Sequence, residues 1–380
     1  MKHWDGIQNV EQSLLSTQSL SMPKPPSIVV AQQPLRTTCA SSIILRGLNN
    51  PRGIKIKPDG NLLLVEAGTG DAEQVFSGRL LQFKRDAAGG YGQAEIVAAG
   101  FRSMNMQARM CRDEIFGLAD VAYGDGRWLL SQTDYVSGSR IMDLSTLPPQ
   151  TLFHSRGNLN ALCYHPQRQS WLTVKPDTNQ AIEFIEGKAE TVIGVLPDLS
   201  GGQHAVPVTV ILDQSWQQSS GSQAVLISLF SGELQGDVEK TGIYFEKGVS
   251  KIVRLDLDTG EISTVIAGLT LATGMAFTDQ GQLLVLELCE DFLQPMPVAE
   301  VPQKPWHGGF KRYSGRLLCV DLARQTVHCL AEHLDTPSNL CVVGNSVFIS
   351  EGMGLPGRPI ANPHGETVAL EGYVRKLILP

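Results

Sequence analysis

The chain repeats itself, and the repeat decides what it can fold into. GLNNPRGIKIKPDGNLLLVE, starting at Gly47, returns as GLTLATGMAFTDQGQLLVLE, starting at Gly268. One constant offset carries Gly47, Leu48, Gly53, Gly60, Leu62, Leu63 and Glu66 onto Gly268, Leu269, Gly274, Gly281, Leu283, Leu284 and Glu287. SGRLL then recurs letter for letter at Ser77–Leu81 and Ser314–Leu318. A third copy sets Leu334, Pro337, Leu340 and Glu351 against Leu48, Pro51, Ile54 and Glu66. Each copy reads as an apolar run, a Gly/Asp turn and a second apolar run, the pattern of a hairpin. Weaker copies lie at 118–132, 159–175 and 208–230, the last with a longer turn, which gives six units beginning near residues 50, 118, 159, 207, 271 and 336. A four-stranded unit repeated this often cannot bury its faces alone and stacks radially. The spacing predicts an all-β, six-bladed β-propeller over residues 41–380.

Ring closure is also expected from the sequence. YVRKLIL ends the last unit with no fourth strand after it, and SSIILRGL at 41–48 precedes the first unit and aligns with STVIAGL at 263–269. The N-terminal strand should therefore complete the last blade, leaving no open edge. Residues 1–40 read as an arm, with a short helix capped by Asp5 that aligns Ile7, Val10, Leu14 and Leu15. Turns such as KPDGN, TDQGQ, VGN and LDTG fall on one face of the ring. The long connections 67–77, 102–116, 230–249, 288–314 and 352–371 fall on the other, and loops of that length in a compact domain are usually functional.

Composition excludes several partners. The balance of 31 Lys and Arg against 38 Asp and Glu gives a net charge of −7, with no basic run to hold nucleic acid or an anionic membrane. No apolar stretch approaches the ~20 residues of a membrane-spanning helix, and the first residues do not read as a secretory signal. The 7 cysteines show no CxxC spacing, so a reducing compartment, the cytoplasm, is expected, although Cys319 and Cys329 fall within reach of one hairpin. Nothing in the chain matches a P-loop, a GxGxxG turn, a GxSxG elbow or HExxH, so neither a nucleotide nor a flavin is expected.

The candidate site is the channel mouth on the long-loop face. The repeat places Glu66, Glu287 and Glu351 at matching ends of their second strands, with Asn160 at the top of the innermost strand of blade three. Converging carboxylates repel unless a cation neutralises them. One divalent cation (calcium, magnesium or manganese) suits that oxygen set. The competing reading has each glutamate accept backbone N–H bonds in its own loop, or pair with Lys175 or Arg52. His307, in KPWHGGFKRY, and Lys175 are the candidates for moving protons, and Arg52 for holding an anionic group. Tyr244, Trp306, Phe310 and Tyr313 are expected to wall an apolar pocket for a small molecule. The loop RSMNMQARMCRDEIF has the methionines of an adaptable lid. His364 is a weaker candidate, and His165 falls on the opposite face in a structural position.

GLNNPRGIKIKPDGNLLLVEAGTG, the following SGRL and the later GLADVAYGDGRW resemble the propeller proteins associated with scytonemin biosynthesis, the D/E family. These are similar to the NHL, senescence-marker-protein and strictosidine-synthase-like six-bladed propellers. The resemblance covers roughly residues 41–380 and implies a role in tailoring a specialised metabolite. In metal-dependent members of the wider group a Glu, an Asn and an Asp hold a divalent cation at the channel mouth. The glutamate ring and Asn160 in NAL match the first two, and no residue here is matched to the aspartate. The expected function is an enzyme of specialised metabolism catalysing cyclisation, carbon–carbon bond formation or hydrolysis. The alternatives are a non-catalytic propeller that binds a ligand or protein on the same rim, and a purely structural cation.

Overall fold

A computed structural model describes residues 26–31, 33–37, 39–105, 114–234, 243–292, 306–307 and 309–380, with only the backbone at 233–234, 243–244 and 306–307. The helix expected near Asp5, together with Cys111, Met106 and Met110, lies outside the described residues. Six sheets follow one another around an axis. Blade one is Pro51–Ile56, Leu62–Glu66, Gly78–Arg85 and Tyr91–Phe101. Blade two is Leu118–Gly124, Arg127–Gln132, Ser139–Asp143 and Gln150–Ser155; blade three is Cys163–His165, Ser170–Lys175, Gln180–Phe184 and Thr191–Val195. Blade four is Pro207–Leu212, Ala224–Leu229, Ser250–Asp256 and Ile262–Leu269; blade five is Ala272–Phe277, Leu283–Glu287, Gly315–Asp321 and Thr326–Leu334. Blade six is Asn339–Val343, Ser346–Glu351 and Gly372–Ile378, completed by Ala40–Leu48 from the N-terminal side, antiparallel to Gly372–Ile378.

In blades one and five the second strand is apolar up to its terminal glutamate because both faces of the blade are covered. Along LLLVE, Leu62 and Leu64 pack toward blade six with Phe348 and Val374, while Leu63 and Val65 pack toward blade two with Leu118 and Val121. Similar buried clusters fill the other gaps: Leu129 with Trp171, Val174 with Val225, Leu226 with Met275, and Leu286 with Ile349. The repeated glycine of the innermost strand is where blades touch. A Cβ on Gly53 would sit 2.7 Å from Asp120 Cα, and one on Gly274 2.8 Å from Asn339 Cα. Hydroxyls then tie blade to blade. Ser228 Oγ donates to Thr273 O (2.8 Å), Thr273 Oγ1 to Pro337 O (3.0 Å), Ser338 Oγ to Pro51 O (2.8 Å) and Ser350 Oγ to Arg52 O (2.7 Å). The last two cross the seam where the ring closes.

The arm does more than lead into the closing strand. Ile28–Val29 runs parallel to the outer strand of blade four and Leu35–Arg36 to that of blade five. The segment therefore wraps three successive blades and covers their edges. The longer turn of blade four folds as a helix, Gln214–Ser220, which the strand pattern did not anticipate. Asp213 caps it by accepting from Trp216 N (3.1 Å), and Gly221 ends it with φ 78°. Cys319 and Cys329 do not face each other: Cys329 stands opposite Leu318, which puts the two thiols on opposite faces of the sheet, and both are free. No helix among the described residues is long and apolar enough to cross a membrane.

Candidate functional site at the channel mouth

The long connections gather on one face, where several fold back as two-stranded flaps: Met104–Asn105 with Ile115–Phe116, Trp306–His307 with Phe310–Lys311, and Pro359–Ala361 with Thr367–Ala369. Between them lies a cavity of about 430 Å³ lined by residues of all six blades. Its two sides differ. On the side of blades four to six, Phe245 stacks with Phe230, Phe310 and Phe292, ring centroids 5.6–5.9 Å away, and Leu288 and Met353 complete an apolar wall. Such edge-on contacts hold aromatic rings in fixed orientations.

The side of blades one to three is polar. Arg52, second on the innermost strand of blade one, donates through Nη2 to Ile115 O (3.0 Å) and stands beside Glu114. Burial pushes the Glu114 carboxyl up to about 7, and the Arg52 guanidinium opposes the shift. Asn158 is fixed by Thr133, whose Oγ1 donates to Asn158 Oδ1 (2.6 Å) while accepting Leu159 N–H (3.0 Å). That leaves the Asn158 amide N–H₂ for the Tyr135 hydroxyl. Burial, with Asp177 and Glu114 nearby, pushes the Tyr135 phenol well up, so the O–H stays protonated and serves as a donor. Burial also raises the Asp177 carboxyl, against the backbone N–H of Asn158. Asp177 closes over Gly157, where a Cβ would collide with its carboxyl and φ is +83°. His204, half-exposed, reaches Asp198 at 3.5 Å.

The glutamates accept backbone N–H bonds, as in the competing reading, but their basic partners are neither Lys175 nor Arg52. Each carboxylate accepts one N–H from its own loop and an arginine from the adjacent third strand. Glu66 accepts from Asn49 N (2.9 Å) and Arg79 Nε (2.7 Å). Glu287 accepts from Thr270 N (2.6 Å) and Arg316, and Glu351 from Asp335 N (2.8 Å) and Arg375 Nε (2.5 Å). Gln132 is the neutral version, accepting from Arg140 Nε at 2.8 Å. Glu66, Glu287 and Glu351 are thus spent on their own blades and do not converge with Asn160 as a ligand set. Among the described residues no group of three or more His, Cys, Asp or Glu is placed to hold a metal ion.

The other expected residues divide. Arg52, Phe310 and Asn160 line the cavity. Lys175 does not: it is buried at the end of its strand and reaches Glu190 at 3.4 Å, so it is no free base. Tyr313 lies under Arg312, 5.1 Å from ring centroid to guanidinium, outside the cavity lining. The side chains of Tyr244, Trp306 and His307 lie outside the described residues. His165 is buried in its turn and accepts from Arg168 N at 3.4 Å, the structural role expected. Glu114, Tyr135, Asn158 and Asp177 were missed. Glu114 sits in a loop whose methionines drew attention instead, and Asp177 follows Pro176 just beyond Lys175.

No family model matches the chain, and no curated protein matches it in sequence. Solved structures do. A protein of unknown function from Bacteroides thetaiotaomicron shares 12% identity over 89% of this chain and 75% of its own, with a TM-score of 0.54. The fold is a six-bladed β-propeller. The chain is also similar to virginiamycin B lyase from Staphylococcus aureus (10% identity, 90% of this chain and 100% of that one, TM-score 0.46). A gluconolactonase from Xanthomonas campestris aligns at 13% identity over 74% and 90% of the two chains, with a TM-score of 0.42. At such identities these are likenesses of architecture.

Proposed function

We propose that the protein is a small-molecule enzyme of specialised-metabolite biosynthesis that works in the cavity at the channel mouth. The observation that carries this reading is the pairing, in one cavity, of a wall of Phe230, Phe245 and Phe310 with a carboxyl held near neutrality beside an arginine. An apolar or aromatic substrate body fits the first and an ionising centre the second. Glu114 exchanges a proton with the substrate near pH 7, where both of its forms are populated. Arg52 stabilises negative charge that develops on the substrate, and Tyr135 donates from its protonated hydroxyl. Asn158 and Asp177 orient these groups. The resemblance to scytonemin-related propellers supports a metabolite-tailoring role and leaves cyclisation, carbon–carbon bond formation and hydrolysis open.

The test uses two readouts. Binding of the neutral fluorophore N-phenyl-1-naphthylamine reports the apolar wall, and mass spectrometry follows turnover of a panel of hydroxylated and amino-substituted aromatic compounds. The expected result is probe binding in both wild type and Glu114→Gln, with turnover in wild type alone. Binding without turnover by wild type across the panel points instead to a non-catalytic binding propeller.

A further inference from the structure

The channel has a second cavity at its opposite end, about 350 Å³ in volume and lined by the innermost strands of all six blades. Nothing in the proposed reaction uses it. Here the ring symmetry breaks: Lys55 occupies the position held by Ala276 in blade five and Cys341 in blade six. The Lys55 ammonium makes no hydrogen bond or ion pair with any described residue. The carboxylate near it, Asp120, is already committed. Its Oδ1 accepts Val121 N–H (2.9 Å) and its Oδ2 accepts Leu162 N–H (3.0 Å). Two more donors line the cavity without a described acceptor, the Asn339 amide N–H₂ and the Thr209 hydroxyl. Asn339 Oδ1 is turned to Leu340 N–H (2.8 Å), which leaves its nitrogen for the cavity.

The wall beside these donors is aromatic and partly bare. Tyr123 is 53% exposed and packs on Trp128, with centroids 5.1 Å apart. Tyr164 packs on Trp171 at the same separation and lies directly over Gly124, where any Cβ would run into its ring. Cys163, in the same wall, is held as a neutral thiol by burial and adds no charge.

We infer that this lower cavity binds a planar aromatic monocarboxylate, its acid group on Lys55, Asn339 and Thr209 and its ring against Tyr123 and Tyr164. An ammonium with no described hydrogen-bond partner, beside two neutral donors, matches one carboxylate, while the Asp120 carboxylate in the same lining is turned to two backbone N–H groups. The volume admits a one- or two-ring body, as in ordinary ligand sites. None of the residues given a part in the proposed reaction lines this cavity, although among the described residues Thr209 and Asn339 border both.

Indole-3-acetate serves as the probe, titrated into the full-length protein by calorimetry at low salt. Saturable binding at one equivalent is expected. It should weaken at least tenfold in Lys55→Met, be retained within about threefold in Lys55→Arg, and be unchanged in Phe310→Ala, which alters the upper cavity only. Indole without its acid group should bind at least tenfold more weakly. Circular dichroism checks that each variant is folded. No saturable binding in wild type, or equal binding by Lys55→Met, overturns the assignment. Loss in Phe310→Ala with Lys55→Met unaffected moves the probe to the upper cavity and also overturns it.

Discussion

Replacing Arg79 with Met isolates what the strand-end glutamates do. Glu66 is 0% exposed, one oxygen on Asn49 N–H and the other on Arg79, whose Nη2 comes within 2.5 Å. Removing the guanidinium leaves a buried carboxylate with a single donor. Breaking a buried pair from one side costs about 3–5 kcal/mol. Arg79 is itself 33% exposed, so water can follow it in, and a loss of about 2–3 kcal/mol is the working figure. An unfolding entropy near 2.1 cal/mol/K per residue, over roughly 340 propeller residues, turns that into a fall of about 3–4 °C in melting temperature. Glu66→Gln should be milder, about 1 kcal/mol, because blade two already runs the same contact with Gln132 and Arg140. Burial raises the Glu66 carboxyl while Arg79 lowers it, so without Arg79 the ionised form is penalised. The penalty is present above the unfolded pKa and disappears as the carboxyl protonates, so the deficit of Arg79→Met should shrink as pH falls toward 4. Calorimetry at pH 7 and pH 4.5 measures both points. A variant melting within 1 °C of wild type at pH 7, on the order of the error in this reasoning, or a Glu66→Gln protein less stable than Arg79→Met, would refute the pairing account.

Three further outcomes follow from the same structure. Glu114→Gln should gain stability over wild type as pH rises from about 5 to 8, by about 1–3 kcal/mol: a carboxyl moved up from 4.5 to about 7 penalises folding only where it is ionised, and denaturant titration across that range detects the divergence. A flat difference from pH 5 to 8 would remove Glu114 as a near-neutral proton carrier. Gly53→Ala should cost about 1–3 kcal/mol by forcing the innermost strands of blades one and two apart, and an unchanged denaturation midpoint would contradict the close approach. Truncation of residues 1–37 should leave a closed ring, whereas truncation of residues 1–48 removes the outer strand of blade six with Leu45 and Leu48. The longer deletion should abolish cooperative unfolding in calorimetry, and a sharp transition in it would show that closure does not depend on Ala40–Leu48.

The architecture was legible because the repeat is a packing device. Strand two is apolar up to its terminal glutamate in blades one and five because each face meets a neighbouring blade, and a run such as LLLV cannot satisfy a one-sided sheet. The closing strand was legible for the same reason: SSIILRGL has the pattern of an outer strand and no sheet of its own. The helix Gln214–Ser220 was not, because QSWQQSS has Trp216 as its single large apolar residue and so no apolar period, and only Asp213 and Gly221 mark its ends. The parallel strands of the arm are two residues each, too short for any alternation to show.

The strand-end glutamates stand apart from the cavity for a reason that the ring itself supplies. A residue that recurs at one position in blade after blade serves each blade in the same way, and Glu66, Glu287 and Glu351 recur together with Arg79, Arg316 and Arg375 on the facing strand. Repetition of the pair marks a brace between strands two and three. A ligand in the channel meets six different walls at once and is recognised by what differs between them. Along the ring position of Arg52 stand Ala119, Val208, Thr273 and Ser338, all lining the same cavity, and only blade one contributes a charge. Lys55 breaks the symmetry at the lower mouth in the same manner, against Ala276 and Cys341. Glu114, Tyr135 and Asp177 come from connections that the repeat does not govern, so no alignment of blade with blade selects them. In a propeller the aligned columns locate the frame, and the chemistry is to be sought where one blade departs from its column.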